Sequence, residues 1–169
     1  MQLKDLFIDE TSRSNTDYVK NLVFQKPELF RELVEIGLNN EEPFSRRAIW
    51  VMDACDEESP GLAAPYLGSL IDRLDSFEHD GLIRYTLRIL SRHPVPGERM
   101  VDLIDFCFAS LQRSQAAAIK VYAMEILYRL SCQFPDLKPE VAGTIEMAIR
   151  EGSTGVKNRG FKLLEKLRK

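Results

Sequence analysis

The feature that most restricts this chain is an internal repeat. Four eight-residue segments align without gaps: "RAIWVMDA" from Arg47, "YTLRILSR" from Tyr85, "YAMEILYR" from Tyr122 and "RGFKLLEK" from Arg159, a period of 37 or 38 residues. The second position is small or modest in size (Ala48, Thr86, Ala123, Gly160), and it serves as zero in the register used below. At +1 stand Ile49, Leu87, Met124 and Phe161, and +3 and +4 are apolar in every copy. Position −4 holds Phe44, Leu82, Ile119 and Val156. Offsets of −4, 0, +1, +3 and +4 form one apolar stripe on a helix, and the small residue lets a neighbouring helix come close.

Strand signals are scarce. Apolar residues recur at three- and four-residue spacing and β-branched alternation is missing, so the expected fold class is all-α. Four further amphipathic stretches, 27–38, 64–77, 98–112 and 139–150, precede the four repeated segments, and Pro27 and Pro139 suit a first helical turn. Each period is therefore a helix, a turn and a second helix, with an additional helix around residues 17–25. A pair of this length cannot bury its apolar face alone, so neighbouring pairs must stack.

The second helices open on an apolar residue followed by a basic one, Ile83-Arg84, Ile119-Lys120 and Val156-Lys157, and "HDGLIRY" resembles an acidic turn between paired helices. In these features the chain resembles the HEAT and armadillo-type repeat proteins. The period is shorter than the HEAT length of roughly 40–47 residues, and Ser45-Arg46-Arg47 displaces the basic pair in the first copy. The resemblance implies an α-α superhelix, a right-handed solenoid of about four HEAT-like pairs, whose second helices line a concave face. The expected organisation is an N-terminal helical cap over 1–26 and a repeat domain over 27–169, forming one compact unit. The expected role is a non-catalytic scaffold for protein–protein interaction.

Composition agrees with a globular chain. Hydrophobic residues make up 44% and charged residues 29% of the 169, and no apolar run approaches the roughly 20 residues of a membrane-spanning helix. "MQLKDLFIDE" lacks the apolar core of a secretory signal, so a cytoplasmic location is expected. Cys55, Cys107 and Cys132 are scattered and only His79 and His93 join them, so neither a metal site nor a cofactor is expected. All three thiols read as small buried hydrophobes. Asp53, Asp56, Glu57 and Glu58 read as a solvated helix end, and His93-Pro94-Val95-Pro96-Gly97 as a helix stop.

Net charge is −3, but its distribution is uneven. The second helices, taken as 45–56, 81–93, 115–132 and 153–169, hold thirteen basic and four acidic residues, leaving ten basic and twenty-two acidic elsewhere. Opposite the apolar stripe, offset −1 holds Arg47, Tyr85, Tyr122 and Arg159. Offset +2 includes Trp50, Arg88 and Lys162, and +6 includes Arg92, Arg129 and Lys166. Guanidinium forks pair with carboxylates and aromatic faces add contact area, so these ten residues form a candidate surface for an acidic protein or peptide. Two readings of them stand side by side: a partner surface, or charge neutralised internally by acidic neighbours.

Two enzymatic readings also arise. Gly152-Ser153-Thr154-Gly155 ahead of Lys157-Asn158 resembles the loop of the fumarase and adenylosuccinate lyase superfamily, but the repeat register already accounts for Lys157 and Gly160. Trp50 and Asp53 on one helix resemble the groove of HEAT-like alkylated-DNA glycosylases, which would make nucleic acid the partner. An acidic chain is poorly suited to phosphate. The end of the last helix, with no later residue in this sequence to cover it, is a possible site of self-association.

Overall fold

A computed structural model describes residues 2–8 and 11–169; Met1, Asp9 and Glu10 of the expected cap lie outside the described residues. Helices and turns account for the described residues, with no strand among them. The chain divides into two compact units, Met1–Pro96 and Gly97–Lys169. The division falls after Pro94-Val95-Pro96, where two prolines prevent the preceding helix from continuing.

The first unit begins with a 3₁₀ turn, Leu3–Phe7, followed by α1 (Arg13–Gln25), α2 (Leu29–Leu38), α3 (Phe44–Glu58), α4 (Leu67–Arg73) and α5 (Asp80–Leu90). Ser12 caps α1 by accepting from the Asn15 N–H at 3.0 Å, and His79 Nδ1 caps α5 by accepting from the Gly81 N–H at 2.9 Å. Buried Ser45 ties α2 to α3: its hydroxyl donates to the Ile36 carbonyl at 2.7 Å and accepts from the Glu41 N–H at 2.8 Å. Helix α3 is the hub of this unit, packed on α1, α2 and α5.

The second unit contains α6 (Met100–Arg113), α7 (Ala117–Gln133), α8 (Lys138–Arg150) and α9 (Thr154–Leu167). Here α7 packs on α6, α8 and α9, and α8 on α9. Pro139 sits in the first turn of α8, as its sequence position predicts. Ser153 caps α9, accepting from the Val156 N–H at 3.5 Å. The glycine-rich stretch is thus the turn into a packed helix, and a Cβ on Gly152 would meet the Ala148 carbonyl at 2.8 Å.

The register survives in three dimensions. Ala48, Thr86, Ala123 and Gly160 are all buried, and a Cβ on Gly160 would stand 2.3 Å from Ile149 Cγ2, so α8 and α9 approach as closely as the small position allows. Ile49, Leu87 and Met124 at +1 are fully buried, each worth about 1.5–3 kcal/mol of transfer free energy. Phe161 corrects the expectation: it is 59% exposed, because it lies on the side of α8 and α9 that no element of this unit covers. Cys132 is a second correction. Cys55 and Cys107 are buried, but Cys132 is exposed, since its +9 register points away from the stripe.

Candidate functional site

The ten candidate residues fall five to each unit, and equivalent positions of consecutive second helices meet in both. In the first unit, Trp50 (+2 of α3) stacks on Tyr85 (−1 of α5), with ring centroids 5.8 Å apart and planes inclined by 12°. The Arg84 guanidinium lies over the Tyr85 ring at 4.4 Å. In the second unit the same two offsets place Glu125 (+2 of α7) against Arg159 (−1 of α9) as an ion pair. One backbone geometry therefore yields an aromatic stack in one place and a salt bridge in the other.

The next positions diverge further. Arg88 and Arg92, at +2 and +6 of α5, converge on Asp53, at +5 of α3. Arg88 Nη1 donates to Asp53 Oδ2 at 2.6 Å and Nη2 to Glu57 at 2.9 Å. Arg92 Nε donates to Asp56 at 3.1 Å and Nη2 to the Asp53 carbonyl at 3.2 Å. Arg92 Nη2 also stands 2.8 Å from Asp53 Oδ1, an ion contact rather than an aligned hydrogen bond. His93 closes the cluster, with Nε2 at 2.8 and 2.9 Å from the two Asp56 oxygens, and the Ala63 N–H donates to Asp56 Oδ1 at 3.3 Å.

Asp53 and Asp56 are fully buried. They are not a solvated helix end, and the correction has a physical cause: at +5 and +8 they point from α3 toward α5, where two arginines offset part of their desolvation. Burial raises the Asp53 pKa above the ordinary carboxylate value, and Arg92 and Arg88 oppose that shift. Arg47, the remaining candidate of this unit, reaches the Ile8 carbonyl at 3.4 Å, while its Nε is buried without a hydrogen-bond partner among the described residues.

In the second unit the positions equivalent to Asp53, Asp56 and Glu57 are Tyr128, Ser131 and Cys132. None carries a charge that could hold a lysine. Lys162 (+2 of α9) is exposed and makes no ion pair among the described residues; Lys166 (+6) is exposed with its Nζ 5.6 Å from the Tyr128 ring centroid. Tyr122 and Arg129 are half-buried on α7, and burial lowers the Arg129 pKa. A hydrogen bond with the Cys132 thiol raises that of the Tyr128 hydroxyl. The sequence signal that identifies the acidic cluster is the pairing of +5, +8 and +9 of one copy with +2 and +6 of the next.

Two open cavities border the second unit. One, of 390 Å³, has an apolar floor of Ile149, Phe161 and Leu164 with Glu146, Glu165 and Arg168 at its rim. The other, of 290 Å³, runs between Leu111, Lys120, Met147 and Arg150. Among the described residues, no group of three or more His, Cys, Asp or Glu side chains is gathered to hold a metal ion, and no helix is long and apolar enough to cross a membrane.

No curated protein and no solved structure matches the chain. A family model described as a HEAT repeat domain matches residues 3–167, across both units and all four repeated segments. With helix pairs, a small-residue register and a family match over nearly its whole length, the chain belongs to the HEAT repeat family.

Proposed function

We propose that this chain is a non-catalytic protein-interaction module whose α7–α9 face takes an acidic protein segment. HEAT repeat membership supports the scaffold role. The acidic partner is supported by one observation: α9 carries Lys157, Arg159, Lys162 and Lys166 against a single acid, Glu165, and only Arg159 is matched by a carboxylate of α7. The Tyr128 ring adds aromatic surface beside Lys166. Arg88 and Arg92 contribute less to such a site, because their charge is already committed to buried carboxylates.

The test is binding of a fluorescent oligoglutamate, followed by anisotropy. Lys162→Glu with Lys166→Glu should abolish it, and both side chains are exposed, so the fold is retained. Binding that survives this reversal, or none by the wild type at low salt, rejects the reading. A single-stranded oligonucleotide of equal charge that binds more tightly at the same lysines would assign the face to nucleic acid instead.

Self-association through the α8–α9 end is a second reading, favoured by the exposure of Phe161 at a register position that is buried in the other three copies. Sedimentation of the wild type and Phe161→Ser decides it: a dimer that dissociates in the variant supports it, and a wild-type monomer at tens of micromolar, by order-of-magnitude reckoning for a standard-size interface, removes it.

A further inference from the structure

We infer that the partner of the α7–α9 face presents carboxylates one helical turn apart on a helix, an inference that rests on the acidic-partner reading above. The first unit holds an internal counterpart of such a ligand. On α3, Asp53, Asp56 and Glu57 lie three and four residues apart and project from one side toward Arg88 and Arg92, themselves four residues apart on α5. Spacings of three and four place side chains on one face, one turn from each other. The cation pair is repeated on α9 as Lys162 and Lys166, at the same offsets and the same four-residue separation. The carboxylates are not repeated: Tyr128, Ser131 and Cys132 stand in their place.

The bulk of Tyr128 keeps a ligand from sitting as deep as Asp53 does. An incoming acid instead rests on the outer side of the α7–α9 seam, with the two ammonium groups facing it and the Tyr128 ring beneath. Lysine ammonium groups are compact point charges on flexible stems, so they tolerate Asp or Glu but reward correct spacing along the ligand axis. An extended acidic chain alternates its carboxylates between two sides and brings fewer to the pair at once. Phosphorylated segments share the charge but not the spacing.

The experiment uses two alanine-based helical peptides of about 18 residues, long enough to hold a helix. Both carry two Glu, at i and i+4 in one and at i and i+2 in the other, with equal net charge. Two surface ion pairs formed together make the i,i+4 peptide about five-fold tighter for the wild-type chain. That preference should vanish in Lys162→Glu with Lys166→Glu. Equal affinity of the two peptides, with oligoglutamate still bound through the lysines, overturns the helical inference and leaves the acidic-partner reading intact. Loss of oligoglutamate binding overturns both.

Discussion

Helices α3 and α5 in the first unit and α7 and α9 in the second are built on one register, yet they dispose of their charge in opposite ways. At +5, +8 and +9, α3 supplies Asp53, Asp56 and Glu57, which engage Arg88 and Arg92. At the same offsets α7 supplies Tyr128, Ser131 and Cys132, and Lys162 and Lys166 of α9 face solvent. The repeat decides which positions meet. The side chains at those positions decide whether a basic helix is used up within the fold or left for something outside it. An excess of Arg and Lys on one helix is therefore no guide to binding until the acids of the preceding helix, in register, have been counted.

The largest effect should come from cutting the same offset in both units. Arg92→Ala leaves two buried carboxylates short of a counter-charge and should cost about 3 kcal/mol in urea unfolding. Lys166→Ala removes an exposed amine and should stay within about 0.5 kcal/mol of wild type. Equal losses at the two positions would break the comparison outright.

A smaller effect sharpens it from the other side. Cys132→Glu restores on α7 the acid that Glu57 provides on α3, next to Lys162 and Lys166. It should weaken oligoglutamate binding by about five-fold, the worth of one or two surface ion pairs, without unfolding the chain. An unchanged affinity would mean that the +9 position does not communicate with those lysines.

Much of the fold was legible in the sequence because helical packing repeats with the chain. A period of 37 or 38 residues, a small residue at zero and apolar neighbours at −4, +1, +3 and +4 suffice to place the second helices. The observed bounds of α3, α5, α7 and α9 differ from that reading by no more than a few residues, as helix ends fray. What was not legible concerns contacts between copies. Asp53 and Asp56 read as solvated when judged on their own helix, because burial of a charge depends on a partner a whole repeat away. Phe161 read as core because the stripe says which side is apolar, not whether anything covers it. Arg88, Arg92, Lys162 and Lys166 looked alike in register and differ only through α3 and α7.

The acid network also predicts a pH dependence confined to the first unit. The Asp53 pKa is raised in the folded chain, by burial ahead of the opposing arginines, so between the ordinary value of 3.8 and the folded value the native state holds more protons than the unfolded one. Native stability contributed by this group is then highest on the acid side and declines as pH rises through the folded pKa. Asp53→Asn does not titrate. The stability difference between wild type and Asp53→Asn should shift in favour of the variant as pH rises from about 4, by an amount below the Arg92→Ala loss. A shift in the opposite direction would mean that the arginines outweigh desolvation at this carboxyl.

The finest probe is the thiol at +9 of α7. Burial pushes the Cys55 thiol up to about 12 and the Cys107 thiol higher still, so neither offers thiolate or access, whereas Cys132 is exposed. A thiol reagent should label Cys132 alone in the native chain, with the other two reacting on unfolding. Cys132 occupies the place of Glu57, whose carboxylate touches Arg88, so a ligand held at Lys162 and Lys166 should crowd it. Saturating i,i+4 peptide should slow native labelling about two-fold or more, the i,i+2 peptide less so at equal occupancy, and neither should alter the rate in Lys162→Glu with Lys166→Glu. Protection that persists in that variant would place the peptide elsewhere on the molecule, and with it the free charge on which the contrast between the two units depends.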